Sequence, residues 1–565
     1  MLRPAKPVPV PRPTPAEVVN ELATRGYNAE REAVTLLARA NDLENAIERA
    51  TETVPDGTLT LSADDVEAAV RTADLADATG PPPDHTDGSP PGARGDSAAA
   101  TPTDAADSGS ISAKTPNQPR SDPSVSSGTT THETDGQTDS PVETKGSTES
   151  GTAESGTTER SVDPDLRSLD VQGDVTGRST GTGEYADFVA TFRDRYERLS
   201  GLLRSRVNHR PTEAVDAMAG GSDAAIVGMI TDIRSTANGH WLVELEDTTG
   251  TFPCLVLKNR EIANVVDELL LDELVAVEGT LAGDGGILFV DELHFPDVPR
   301  TYRPSTADRH VRAALISDVH VGSQEFASEA WSAFADWLHT EDAAAVEYLL
   351  VAGDMVEGVG VYPDQDEELD IVDIYNQYEA FAERLKEVPG DIEILLIPGN
   401  HDAVRLAEPQ PGFDEELRGI MEAHDARFSG NPSTVTIEGV TILMYHGVSL
   451  DEVIAELPKE KANYDEPHKA MYQLLKKRHV APQYGGHTRL APEERDYLVM
   501  EEIPDVFHTG HVHKLGYGKY HNVLAINSGC WQEQTSFQRS VNIDPDVGYA
   551  PILDLDTLDL TIQKF

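Results

Sequence analysis

The sequence predicts a layered α/β domain towards its C-terminal end, preceded by a small five-stranded β barrel and a helical N-terminal domain. Three observations lead there. Five apolar runs between Arg312 and His513 each end in a polar turn. Five short runs within residues 225–299 are separated by hairpin signals, and residues 14–73 carry apolar side chains at helical spacing.

The first set comprises AALISDVH ending at His320, YLLVAGD ending at Asp354, ILLIPGNHD ending at Asp402, TILMYH ending at His446 and VFHTGHVH ending at His513. Each apolar part is strand-length and rich in Leu, Ile and Val, as expected of a strand buried on both faces. In layered α/β folds, ligands gather outside the carboxyl ends of such strands. Asp318 and His320 are two residues apart, so on an extended loop they point to the same side. His511 and His513 repeat that spacing. Gly353 permits close backbone approach before Asp354. The Pro398-Gly399 turn would expose Asn400, His401 and Asp402 together. This mixture of carboxylate, imidazole and amide suits manganese, iron or zinc, and not calcium or a cysteine-held zinc. Two ions roughly 3.5–4 Å apart can clamp a phosphoryl group, and Asp354 is the natural bridging carboxylate. His339, His424 and His479 stand outside these clusters and are expected to be ordinary core or loop residues.

Together DxH, GD, GNHD, H and GHxH resemble the motifs of calcineurin-like metallophosphoesterases, from about Val311 to the end of the chain. The resemblance implies a β-sandwich flanked by helices. It also implies that Asp318, His320, Asp354 and His513 hold one ion, and that Asp354, Asn400, His446 and His511 hold the other. His401 would then protonate the leaving oxygen or stabilise the transition state, with Asp402 orienting it.

Upstream, IVGMITDI, HWLVELED, TFPCLVLK, LVAVEGTL and ILFVDELHF suit an OB-fold barrel. Trp241 and Phe252 are too few aromatics to argue a base-stacking surface, so a packing platform is an equal reading. The order barrel, then phosphoesterase, resembles the small subunits of archaeal family D DNA polymerases across roughly Asp223 to Phe565. LLKKRHVAPQYGGHTRLAPEERDYLV and INSGCWQEQTSFQ match them in character. That likeness implies a manganese-dependent 3′-to-5′ exonuclease acting on single-stranded DNA or frayed primer ends, with zinc or iron as alternative ions. It also implies a large catalytic subunit as partner, and leaves open whether a sliding clamp binds as well. Two other readings stay open: a structural polymerase subunit with a vestigial site, and a phosphatase or cyclic-nucleotide hydrolase on the same fold.

The 565 residues carry a formal net charge of −54, with 99 Asp and Glu against 45 Lys and Arg. Such charge opposes DNA binding and strains the compact state. At ~1 M salt the Debye length is about 3 Å, and screening relieves both. The excess is spread along the whole chain, the signature of a halophile. High salt also weakens phosphate contacts, leaving metal ions and protein partners to supply affinity. Cys254 and Cys530 are expected to be reduced core residues. No apolar stretch reaches the ~20 residues of a membrane helix, and the Pro-rich start has no apolar leader segment, so no membrane partner and a cytoplasmic location are expected.

The expected organisation is a helical docking domain at 1–75, with Ser62 as an N-cap, then a disordered acidic Ser/Thr/Gly/Pro linker at 76–183. A connecting helix follows within 184–222, the barrel occupies 223–300, and the metallophosphoesterase domain fills 301–565. The Phe188, Phe192, Tyr196, Leu199 and Leu203 stripe of the connecting helix is expected to pack on the barrel.

Overall fold

The computed structural model describes residues 164–565, apart from 362–364, 487, 541 and 542, together with Val162 and scattered positions between Val18 and Val66. Those early positions belong to a unit of their own. Within it Val18, Leu22, Ala33, Leu37, Ile47, Ala50 and Val66 are helical and buried, and the pairs four apart share a helix face. One feature departs from an all-helical domain: Asn28–Ala29 pairs in parallel with Thr60–Leu61. Ser62 and most of the expected linker lie outside the described residues.

The larger unit begins with β1 (Leu169–Gln172) and helix α1 (Tyr185–Leu203). The barrel strands follow: β2 (Asp223–Ser235), β3 (Trp241–Asp247), β4 (Gly250–Val256), β5 (Leu274–Leu281) and β6 (Leu288–His294). Next come β7 (Arg312–Ile316), α2 (Ser328–Leu338), β8 (Val346–Ala352), α3 (Ile374–Leu385), β9 (Glu393–Ile397) and β10 (Arg427–Phe428). Then β11 (Ser433–Ile437), β12 (Val440–Met444), α4 (Ser449–Glu456), α5 (Pro467–Lys477) and β13 (Val506–Thr509) lead into the last strands. These are β14 (Leu515–Tyr520), β15 (Val523–Ser528), β16 (Tyr549–Asp554) and β17 (Asp559–Lys564).

Two six-stranded sheets carry the C-terminal part, ordered β10-β9-β8-β7-β16-β17 and β14-β15-β13-β12-β11-β1. The central pairs β7–β8–β9 and β12–β13–β15 are parallel. Continuous apolar runs make sense here because alternate residues serve different cores. From β8, Leu349 and Val351 join Trp331 of α2 and Tyr378 and Phe381 of α3 on the outer side of the first sheet. Leu350 and Ala352 of the same strand face Ile442, Val506 and Leu524 of the second sheet. Leu450 of α4 and Met471 and Leu474 of α5 cover the far side of that sheet, against Leu443 and Phe507. The layers therefore run helix, sheet, sheet, helix. All five motif-bearing strands are present, and each contributes roughly 1.5–3 kcal/mol per fully buried Leu or Ile.

Two expectations need correction. The linker does not extend to Thr182: Leu169–Gln172 pairs antiparallel with β11 and closes the edge of the second sheet. Its Leu169 and Val171 pack on the core between the sheets while Asp170 and Gln172 face water, so this polar-looking segment alternates as an edge strand does. The aromatic stripe of α1 also divides. Tyr196, Leu199 and Leu203 pack on Ala225, Val227, Leu274 and Ala276 of the barrel. Phe188 and Phe192 instead set their rings 5.4 and 5.6 Å from Tyr484. A helix of 19 residues is about 28 Å long and overhangs the barrel wall.

The barrel closes in the order β2-β3-β4-β6-β5. Phe252 lies in its interior and Trp241 packs against that core, so neither ring forms a surface platform. Buried cations join the modules. Arg195 of α1, 1% exposed, reaches Asp496 Oδ2 at 2.7 Å, Pro482 O at 2.5 Å and Asp272 O at 3.3 Å. Lys477 meets Glu273 at 3.1 Å with both side chains fully buried. No described helix is long and apolar enough to cross a membrane.

Removing Arg195 strands the buried Asp496 carboxylate, so Arg195→Ala should cost about 3–5 kcal/mol, read as a drop in the denaturation midpoint. Asp496 Oδ2 also lies 2.9 Å from His479 Nε2. Burial, and next the charge of Arg195, hold the His479 pKa down at about 4. Unfolded histidine titrates near 6.5, so between pH 6.5 and 4 the unfolded chain binds the extra proton. Stability should therefore fall as pH drops through that window, and His479→Gln should flatten the fall in a series of thermal melts.

Candidate metal centre

The five predicted clusters all leave the carboxyl ends of parallel strands on one edge of the two sheets. β7 runs into Asp318 and His320, β8 into Asp354, and β9 into Asn400, His401 and Asp402. β12 runs into His446, and β13 into His511 and His513. Asp318, His320, Asp354, His511 and His513 have φ of 53°, 55°, 54°, 71° and 54°. That left-handed region is disfavoured for any residue with a Cβ and persists only where the surroundings over-determine it. Backbone bonds supply the constraint: Asp318 N to Gly353 O at 3.0 Å, His320 N to Asp354 O at 3.1 Å, and Gly510 N to His446 O at 2.7 Å. Glycine is required between them, because a Cβ at Gly353, Gly399 or Gly510 would overlap His446, Asp354 or Asp318.

The side chains gather into two groups with Asp354 between them. In the first, His320 Nε2 and His513 Nε2 are 3.0 Å apart. Asp318 Oδ1 lies 3.5 Å from His513 Nε2 and 3.9 Å from His320 Nε2. In the second, His446 Nε2 is 3.0 Å from Asn400 Oδ1 and 3.2 Å from Asp354 Oδ2, and His511 joins the same group. Asp354 Oδ2 is also 3.8 Å from His320 Nε2.

This donor set fits two divalent cations. His446 donates its Nδ1–H to Ala352 O at 2.8 Å, so its Nε2 points a lone pair at two oxygens that have no proton to give. Acceptors facing acceptors in a buried site require a positive charge. Burial alone would lower the His446 pKa, but the Asp354 carboxylate outweighs it and raises it to about 10. A metal ion satisfies the same demand. His320 and His511 are anchored through their other nitrogen to carboxylates, as metal-binding histidines usually are, while His513 Nδ1 accepts from the Gln538 amide. His320 Nδ1 lies 2.9 Å from Glu357 Oε2, His513 Nδ1 lies 2.9 Å from Gln538 Nε2, and His511 Nε2 lies 3.1 Å from Asp451 Oδ2.

His401 stands beside the first group, and His320, Asp354 and His401 could share a ligand. The expected role of Asp402 is not what the geometry gives it. Its Oδ2 accepts from Asp354 N at 2.8 Å and Gly399 N at 2.9 Å, and its Oδ1 accepts from Tyr378 Oη at 3.0 Å. Asp402 is turned under the loop at 4% exposure and braces the backbone there. The His401 imidazole is oriented instead by Glu357, whose carbonyl oxygen lies 2.7 Å from Nδ1. Glu357 thus positions two histidines, His320 through its carboxylate and His401 through its backbone. Burial pushes the Glu357 carboxyl up, but the His320 bond outweighs it and holds the pKa down at about 2.

Sequence reasoning missed Glu357, Asp451 and Gln538, since isolated polar residues three to sixty positions from a motif carry no pattern. His320, Asp354, His401, His511 and His513 line a cavity of 140 Å³ with Tyr464, Thr535 and Ile543 on its wall. A larger cavity of 320 Å³, against Arg178, Arg198 and Arg495, contains none of the predicted site residues. Glu357→Ala should weaken manganese binding by roughly 10–100-fold in a calorimetric titration. An unchanged isotherm would remove Glu357 from this role.

The family model for the B subunits of DNA polymerases alpha and epsilon matches residues 313–515. The DNA polymerase II small subunit of Halobacterium salinarum is 61% identical over 550 residues, spanning 97% of this chain and 98% of its own. Its counterpart in Archaeoglobus fulgidus is 44% identical over 390 residues, 67% of this chain and 78% of that one. The Methanocaldococcus jannaschii counterpart is 39% identical over 393 residues, 68% of this chain and 66% of that one. Among solved structures, the asparaginyl-tRNA synthetase of Pyrococcus horikoshii covers 16% of this chain and 23% of its own at 19% identity, with a TM-score of 0.15.

Proposed function

Because the chain belongs to the family of archaeal DNA polymerase II (family D) small subunits, we propose that it is a proofreading nuclease, a two-metal 3′-to-5′ exonuclease acting on single-stranded or frayed DNA ends. The observation that carries this reading is the gathering of the expected ligands at five neighbouring strand ends, with Asp354 shared between two groups. A scaffold with a vestigial site would not need five strained left-handed residues and three buried glycines at that place. On the same reading, the two facing sheets form a calcineurin-like sandwich and the barrel, by its strand order, an OB fold. A large catalytic subunit is the expected partner. A sliding clamp rests on the resemblance alone. The acidic composition suits a salt-rich cytoplasm.

Asp318, His320, Asp354 and His513 would hold one ion, and Asp354, Asn400, His446 and His511 the other. Manganese is preferred, with zinc or iron compatible. Such ions supply Lewis-acid polarisation of the phosphate and a more acidic attacking water. The chain's own residues do the rest. His401, held at Nδ1 by the Glu357 carbonyl, presents Nε2 to the pocket, where it can donate a proton to the departing 3′ oxygen. Asp402 keeps that loop in place through the amides of Asp354 and Gly399. The 140 Å³ cavity has room for a phosphoryl group.

Asp354→Ala and His446→Ala should each abolish manganese-dependent release of nucleotides from a 3′-labelled oligonucleotide while leaving association with the large subunit intact. Activity persisting in both variants would refute the site. His401→Ala should lower kcat by roughly 10²–10⁴ with manganese affinity nearly unchanged. Faster turnover of p-nitrophenyl phosphate or a cyclic nucleotide than of single-stranded DNA would favour a phosphatase.

A further inference from the structure

Ten large hydrophobic side chains are exposed among the described residues, and six lie on segments that follow the site's strands and helices, five on loops and Tyr375 in the first turn of α3. They are Val359 at 48%, Val361 at 37%, Val372 at 59%, Tyr375 at 42%, Leu406 at 47% and Tyr464 at 38%. Val359, Val361 and Val372 form a ridge that is held rigidly, and Tyr375 follows in the first turn of α3. Gln377 is fully buried; its Oε1 accepts from Gly358 N at 2.9 Å, and its Nε2 donates to Gly358 O at 3.1 Å and Ile371 O at 2.7 Å. Val359 and Val372, each the next residue, therefore emerge together. Val361 N donates to Gln365 Oε1 at 2.9 Å, and Gln365 Nε2 donates to Glu357 O at 2.9 Å. Gly358 packs so tightly against the His401 carbonyl that a Cβ there would overlap it, with Val361 Cγ2 on its other side. The ridge thus stands directly beside His401.

We propose that this ridge receives the unstacked bases at the 3′ end of single-stranded DNA, an inference that rests on the nuclease reading. A strand whose terminal phosphodiester reaches the pocket must lay its last bases over the loops next to His401. Phosphate attraction is not what the ridge offers, since Asp366, Glu367 and Asp370 share its loop. Apolar and aromatic contact with base faces is what it offers, and that contact survives high salt whereas phosphate contacts do not. Duplex DNA keeps its base faces stacked away from such a surface, so selection for single strands follows from the ridge itself.

The test uses the full chain, with phosphorothioate-ended oligo(dT) and an abasic strand of equal length as probes in ~1 M salt. Wild type should bind oligo(dT) roughly tenfold more tightly than the abasic strand. The Val359→Ser, Val372→Ser, Tyr375→Ser variant should lose that preference, and Leu166→Ser, on an exposed residue outside these loops, should keep it. Equal affinity of wild type for both strands overturns the proposal. So does a triple variant that keeps its oligo(dT) affinity but loses the large subunit, which would make the ridge a protein interface. Thermal midpoints confirm that the exposed-site variants fold. Wild-type hydrolysis of bis(p-nitrophenyl) phosphate, too small to span the ridge, reports on the pocket separately. Its absence alongside an intact oligo(dT) preference would overturn the nuclease reading and leave the ridge only as a surface for unstacked bases.

Discussion

Everything in the C-terminal part is arranged around a buried surplus of acceptors. Asp318, Asp354, Asp402 and Glu357 are each at most 4% exposed and lie within one small region. Carboxylates this close cannot stay charged in a low-dielectric setting unless cations or hydrogen-bond donors neutralise them. The structure provides both. Asp402 is quieted by two backbone amides and a tyrosine, Glu357 by His320 and two glutamines, and Asp354 by His446. What remains, between Asp318, Asp354, Asn400 and the four imidazoles, is a donor set that fits two divalent cations. Strained backbone, obligatory glycines and doubly anchored histidines all follow from holding that cluster still.

The same economy of charge governs the junctions between modules. In a chain with so few cations, Arg195, Lys477 and Arg478 are buried at 1%, 1% and 3% where α1, the barrel and the two-sheet layers meet. There they pair with carboxylates or backbone carbonyls that would otherwise be stranded. Such pairs are worth little in water and a great deal when one partner is lost from a buried site. Positive charge is thus used to join the modules.

Much of the fold was legible because its signals are local. Each motif strand is a contiguous apolar run, and three of the barrel strands run into turns that contain Gly. The edge strand Leu169–Gln172 was not legible. It is four residues long, sits in a Ser/Thr/Gly-rich stretch, and becomes a strand only when β11 offers its free edge. The parting of Phe188 and Phe192 from the rest of their stripe was hidden for a similar reason. A helical stripe shows which side chains share a face, and nothing about what stands opposite each turn.

The sequence by itself determined which residue types could meet a metal ion, since ligand chemistry is written in side chains and their spacing on strand-end turns. Asp318, His320, Asp354, Asn400, His446, His511 and His513 were all readable from it. Only the tertiary structure decided how those groups are oriented. It turned Asp402 under its own loop, assigned His401 to the carbonyl of Glu357, and brought Asp451 and Gln538 to the backs of two histidines. Orientation depends on contacts between residues distant in the chain, formed when five strand ends close on one another, and no local pattern encodes them.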